Sequence, residues 1–131
     1  MRSLVAEDDY VQRRLLARHV RPFGAVDAVE NGELALEACR SALAAGKPYD
    51  LVLLDICMPG LDGVATLGHW REEEAGAGLD PGKGSTIIMT TSVDVSETII
   101  ASFRRQCDAY LVKPVLRFDL IRQMRELGLV E

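Results

Sequence analysis

The chain has 131 residues, 48% of them apolar, and its 20 acids against 15 bases leave a formal charge of −5. That length and apolar share fit one folded domain, 1–131, and exclude wholesale disorder. The acidic balance argues against a general nucleic-acid binder, which needs a basic face, and no apolar run approaches the ~20 residues of a membrane-crossing helix.

Two periodicities alternate along the chain. Ser3-Leu4-Val5-Ala6 is a short apolar run that stops at three acids, Glu7-Asp8-Asp9, too early for a signal peptide. Tyr10 to Val20 sets Val11, Leu15, Leu16 and His19 on one helical stripe. Asp9 is its N-cap, and Pro22-Phe23-Gly24 ends it. Ala25 to Val29 is a second short strand, and Asn31-Gly32 marks a turn. Glu33 to Ala45 follows as an amphipathic helix with Leu36, Cys39 and Leu43 inward, closed by Gly46. Tyr49-Asp50-Leu51-Val52-Leu53-Leu54 is nearly continuous and apolar, the pattern of a strand covered on both faces, and it stops at Asp55.

Met58 to Gly63 reads as a loop and Val64 to Glu74 as a third helix, followed by a Gly- and Pro-rich loop from Ala75 to Gly84. Ser85 to Thr90 is a fourth strand, and a helix from about Val95 to Arg105 carries Ile99, Ile100 and Phe103. Ala109 to Val112 is a fifth strand, ended by Lys113-Pro114. The last helix, Arg117 to Leu127, carries Phe118, Leu120, Ile121 and Met124. Five strands alternating with five helices predict an α/β, doubly wound parallel sheet, (βα)₅, with helices on both faces.

Ligands of such sheets bind at the carboxyl ends of the strands, at a topological switch point. Those ends are Glu7-Asp8-Asp9, Asp55, Thr90-Thr91-Ser92 and Lys113. In the flavodoxin-like order 2-1-3-4-5, strands one and three are neighbours, so Asp8 and Asp55 face one another, with Thr91 and Lys113 beside them. Several carboxylates in one crevice repel each other unless a cation intervenes. A hard divalent ion such as Mg²⁺ prefers such oxygens together with water and a phosphate oxygen. Lys113 supplies a point charge and Thr91 a hydroxyl donor. Carboxylate nucleophile, metal, cation and hydroxyl are the parts of phosphoryl transfer, and Asp is an established nucleophile for it.

The same segments resemble the CheY-like receiver domain of two-component response regulators. The resemblance runs through Leu4 to Asp9, Asp50 to Gly63, Ile87 to Ser92 and Asp108 to Pro114. It implies that Asp55 accepts the phosphoryl group and that Mg²⁺ or Mn²⁺ is held by Asp8, by Glu7 through water, by Asp55 and by the Cys57 carbonyl. Thr91 and Lys113 then hold phosphoryl oxygens, and Tyr110 is the aromatic switch. The Lys113-Pro114 bond is expected to be cis. The implied partners are a sensor histidine kinase or histidine phosphotransfer protein upstream. A downstream protein is expected at the face formed by the fourth helix, fifth strand and fifth helix. Neither nucleic acid nor membrane is expected to be bound directly. The implied location is cytoplasmic, the implied state a monomer or a phosphorylation-dependent dimer. The domain catalyses only its own phosphotransfer and slow autodephosphorylation, and is not a turnover enzyme. An apolar Val93, two residues after Thr91, would not orient an attacking water, which favours slow phosphate loss.

Each feature also has a plainer reading. Asp9, Asp62 and Thr91 cap helices in many folds, and Lys113 alone would be a solvated lysine. His19 and His69 lack metal-ligand spacing, and Arg13-Arg14 and Arg104-Arg105 read as solvated helix faces. Cys39, Cys57 and Cys107 read as free thiols. Gly82-Lys83-Gly84-Ser85 fails the phosphate-loop pattern, since Gly84 follows the lysine. A dehalogenase-like phosphatase would want an acid two residues after its nucleophile, where Cys57 stands. A flavodoxin would not place Glu7-Asp8-Asp9 against a phosphate. The remaining alternatives are a non-phosphorylated pseudo-receiver and a receiver fragment of a hybrid kinase or larger regulator. The Met1 start favours a native N-terminus.

Overall fold

The structure, a computed structural model, describes residues 1–92 and 96–131. The chain alternates β1 (Arg2–Ala6), α1 (Tyr10–Val20), β2 (Ala25–Val29), α2 (Gly32–Ala44) and β3 (Leu51–Asp55). It continues through α3 (Gly63–Gly76), β4 (Thr86–Thr91), α4 (Glu97–Phe103), β5 (Ala109–Val112) and α5 (Arg117–Glu126). The strands form one parallel sheet, as the alternation predicts, and its order is the flavodoxin-like β2-β1-β3-β4-β5.

Two cores sandwich the sheet. Leu4, Val52, Leu54, Ile87 and Met89 pack under α2, α3 and α4 with Leu36, Trp70 and Phe103. Val5, Leu51, Leu53 and Ile88 pack on the other face against Leu16, Val20 and Leu120 of α1 and α5. The central β3 is buried along its whole length, whereas the edge strand β2 is largely exposed. A continuous apolar run suits the first position and a mixed one the second.

Helix boundaries follow their caps. Asp9, Asn31 and Asp62 each accept the backbone N–H three residues on, at 2.9, 2.8 and 2.8 Å. Asn31-Gly32 therefore opens α2 directly. A Cβ on Gly32 would run into Thr66 Oγ1 and the Leu61 carbonyl, so glycine is what lets α2 approach that segment. At α2's end Lys47 N–H reaches the Ala42 carbonyl (2.9 Å) around Gly46, the predicted glycine cap. The expected loop from Ala75 starts later, because α3 continues to Gly76. It closes with Gly78 N–H on Ala75 O and Leu79 N–H on Glu74 O, both 3.0 Å, with Gly78 at φ +88°.

Two apolar stripes differ from expectation. On α1 the buried residues are Leu16, Ala17 and Val20, while Val11 and Leu15 are 64% and 45% exposed. Leu16, Ala17 and Val20, at i, i+1 and i+4, form the face laid on the sheet, and Val11 and Leu15 lie off it. On α5 Leu120 and Met124 are buried, and Phe118 is 72% exposed with the Arg122 guanidinium over its ring. The expected start of the fourth helix, Val95, lies outside the described residues.

Candidate functional site

The carboxyl ends of β1 and β3 adjoin, since Ala6 pairs with Leu54. Glu7, Asp8 and Asp55 follow directly, each with a carboxylate oxygen within 4.8 Å of the others. Glu7 and Asp55 are buried at 0% and 2% exposure, and Asp8 is exposed. Lys113, just past β5, reaches over both buried acids, its Nζ 2.8 Å from Glu7 Oε1 and 3.0 Å from Asp55 Oδ2. Its N–H donates to the Thr91 carbonyl at 2.6 Å, so the ends of β4 and β5 are tied together at the site. The Lys113-Pro114 bond is cis, as expected.

Local structure fixes Asp55. Cys57 N–H donates to its Oδ1 at 3.2 Å, and Gly63 N–H to the Ile56 carbonyl at 2.8 Å. A Cβ on Gly63 would collide with the Asp55 carbonyl, so only glycine lets α3 begin this close to the acid. The Cys57 thiol is exposed. It lines a crevice of about 670 Å³ with Asp8, Met58, Asp62, Val64 and Ile99, opening beside the acids.

Burial, and then the neighbouring Asp55, push the Glu7 carboxyl above its ordinary range, against the pull of Lys113. Burial alone would lower the Lys113 ammonium, but its bonds to Glu7 and Asp55 outweigh that and hold it above its usual value. Three carboxylates against one ammonium leave negative charge to spare. Moreover, Glu7 Oε1 has no properly formed hydrogen bond among the described residues, only the ion pair to Lys113. An all-oxygen donor set carrying more negative charge than one ammonium balances fits a hard divalent cation.

Thr91 ends β4, buried, its hydroxyl donating to the Ser92 carbonyl at 3.2 Å. The cap of α4 is Ser96 instead, accepting from Ile99 N–H. Tyr110 is half-buried and meets Phe103 edge to face, ring centres 6.1 Å apart. Val93 lies outside the described residues. Asp62 serves as the α3 cap, and Gly82 to Ser85 lie near the amino end of β4, away from the acids. His69 is exposed beside Glu72, and His19 is half-buried, with burial, then Arg117 and Arg18, lowering its pKa. The expectation that Arg13, with Arg14, is a solvated helix face fails for Arg13. It is half-buried, and its guanidinium turns back to the Glu7 and Asp8 carbonyls. No motif marks it; the only signal is its place one helical turn inside α1, behind the acids.

The chain matches the response regulator receiver domain over residues 4–125. It is 34% identical to the transcriptional regulatory protein ResD of Bacillus subtilis over 125 residues, 95% of this chain and 46% of that protein. It is 33% identical to the sensory/regulatory protein RpfC of Xanthomonas campestris over 98% of this chain and 16% of that one. The chain thus spans about half or less of the length of these curated relatives. Among solved structures it superposes on the receiver domain of the histidine kinase CKI1 from Arabidopsis thaliana complexed with Mg²⁺. There the TM-score is 0.82 at 22% identity, covering 97% of this chain and 91% of that one.

Proposed function

The chain belongs to the response regulator receiver family, and from that premise we propose that it accepts a phosphoryl group on Asp55 from a histidine kinase or histidine phosphotransfer protein. One observation carries the reading: Glu7, Asp8 and Asp55 converge under a single bridging ammonium, Lys113. Mg²⁺ or Mn²⁺ would be held by Asp8 and Asp55, by Glu7 through water and by the Cys57 carbonyl. When bound, it neutralises charge on the transferring phosphoryl oxygens.

The chain's own residues do the rest. An Asp55 carboxylate oxygen attacks phosphorus. The new O–P bond forms as the N–P bond to the donor imidazole breaks, and the imidazole nitrogen keeps the electron pair. Lys113 moves from its ion pairs to a phosphoryl oxygen, a charge-assisted contact. The Thr91 hydroxyl, now on the Ser92 carbonyl, turns to another oxygen. Tyr110, packed on Phe103 beside β4, follows Thr91 and alters the α4–β5–α5 face. There Val112, Leu116 and Phe118 stand exposed for a protein partner. Water later returns Asp55 to the free carboxylate, slowly, so the domain is a switch and not a turnover enzyme. The receiver reading implies a cytoplasmic site of action; among the described residues no helix is long and apolar enough to cross a membrane. A receiver within a larger regulator or hybrid kinase is a further reading, favoured by the greater length of the relatives.

Labelling with acetyl phosphate tests the assignment. Wild type is expected to take up phosphate only with Mg²⁺ or Mn²⁺, and Asp55→Asn to take up none. Equal labelling of Asp55→Asn would remove Asp55 as the acceptor.

A further inference from the structure

Arg13 is set apart from the other arginines of α1. Its Nη1 lies 2.9 Å from the Glu7 carbonyl and 3.4 Å from that of Asp8. Arg14, one residue on, donates to the Tyr10 hydroxyl instead. The Glu7 carbonyl lies just past β1 and receives no backbone N–H among the described residues. The Asp8 carboxylate is exposed and makes no hydrogen bond or ion pair among the described residues, yet it stands within the acid cluster. Its placement therefore depends on its backbone, and Arg13 is the side chain that grips that backbone.

We propose that Arg13 is a positioning residue for the divalent cation. By holding the carbonyls of Glu7 and Asp8, it fixes the peptide from which the Asp8 carboxylate projects toward Asp55, and so sets the affinity of the cluster for Mg²⁺. The inference rests on the reading that Glu7, Asp8 and Asp55 bind the ion. Two effects of Arg13 oppose each other. Its charge repels a cation, so its loss would tighten binding, although water and salt screen a half-exposed group. Its grip orders the ligands, so its loss would weaken binding. Groups that orient metal ligands are typically worth 10–100-fold in affinity, and the grip is the larger effect.

Mg²⁺ titrations of the full chain, followed through the amide signals of residues 7–9 and 55–57 by NMR and paired with thermal denaturation, separate the two. Arg13→Gln is expected to weaken Mg²⁺ about tenfold. Arg13→Lys keeps the charge and one donor and should give an affinity between the two. Arg14→Gln removes the same charge from α1 without touching the acidic loop and should leave Mg²⁺ binding unchanged or tighter. Wild-type or tighter binding by Arg13→Gln overturns the proposal. If that variant does not fold, Arg13→Lys decides, and wild-type affinity in it is the overturning result. A wild-type chain that binds no Mg²⁺ would instead overturn the metal reading on which both inferences stand.

Discussion

Two acids, Glu74 near the amino end of the sheet and Glu7 at the carboxyl end, are almost equally buried and have opposite surroundings. Glu74, on α3, accepts from Trp70 Nε1 at 3.2 Å, Arg71 Nη1 at 2.8 Å and the Ser85 N–H at 2.7 Å. Arg71 goes on to the carbonyls of Ser85 and Gln106, both at 2.8 Å, and to Asp108, which in turn accepts Ile87 N–H. Gly84 leaves room for this, since a Cβ there would collide with the Glu74 carboxylate. The starts of β4 and β5 are thus tied to α3 by a network whose members all have partners. At the other end Glu7 shares one ammonium with Asp55, and its carboxylate has one further partner, the Asp9 N–H, which donates to Oε2 at a long 3.3 Å. A complete buried network holds one arrangement, and an incomplete one stores unfavourable charge until something binds. Burial of a carboxylate does not separate scaffold from site; the completeness of its partners does.

The largest effect belongs to the complete network. Glu74→Ala would leave Arg71, Trp70 Nε1 and the Ser85 N–H short of an acceptor, and removing one partner of a buried pair costs about 3–5 kcal/mol. The denaturant midpoint should fall accordingly, with Mg²⁺ affinity at the far end unchanged. Loss of Mg²⁺ binding in a folded Glu74→Ala chain would break the division between the two ends. A smaller effect belongs to the incomplete one. A ligand at a hundred times its Kd stabilises by about 2.7 kcal/mol. Saturating Mg²⁺ should therefore raise the thermal midpoint of wild type and leave Asp8→Asn and Asp55→Asn nearly unmoved. An unresponsive wild type would mean that the carboxyl-end acids form no cation site.

The carboxyl end was the more legible of the two in the sequence. Strands stop where apolar runs meet charge, so Glu7, Asp8, Asp55 and Lys113 stand out, and alternation of strand and helix carries the parallel sheet, while its order comes with the flavodoxin-like fold that the motifs resemble. Both β2 and β5 fall at their expected residues because charge or glycine bounds them on each side. The amino end was hidden. Trp70, Arg71 and Glu74 read as ordinary helix residues, and only the folded chain brings them to Ser85 and Asp108. Periodicity also could not decide which stripe of α1 faces the sheet. Leu16, Ala17 and Val20 compete there with Val11 and Leu15, and fit against the sheet settles the matter. Arg13 escaped for a related reason, since a guanidinium on backbone carbonyls leaves no pattern of residue types.

The smallest expected effect discriminates most sharply between the two acids. Burial, then Asp55, hold the Glu7 carboxyl above its ordinary 4.5, with Lys113 opposing. An acid with a raised folded pKa binds its proton more tightly in the native state than in the unfolded one. Stability therefore falls as pH rises from about 4.5 through the raised value, and the cost remains at neutral pH. Lys113 does not contribute in this window. Its pKa is raised above 10.5, so its share is present throughout and is lost only at higher pH. Glu7→Gln removes the titration while keeping the shape. In metal-free buffer the Gln variant should gain on wild type as pH rises from about 4.5 to 7, measured by denaturant unfolding at each pH. Mg²⁺ should shrink the difference, because the ion relieves the charge that Gln removes. If wild type instead gains on the variant as pH rises, the Lys113 pair outweighs burial. Glu7 would then be a satisfied structural acid like Glu74, and the contrast between the two ends would fail at its most buried member.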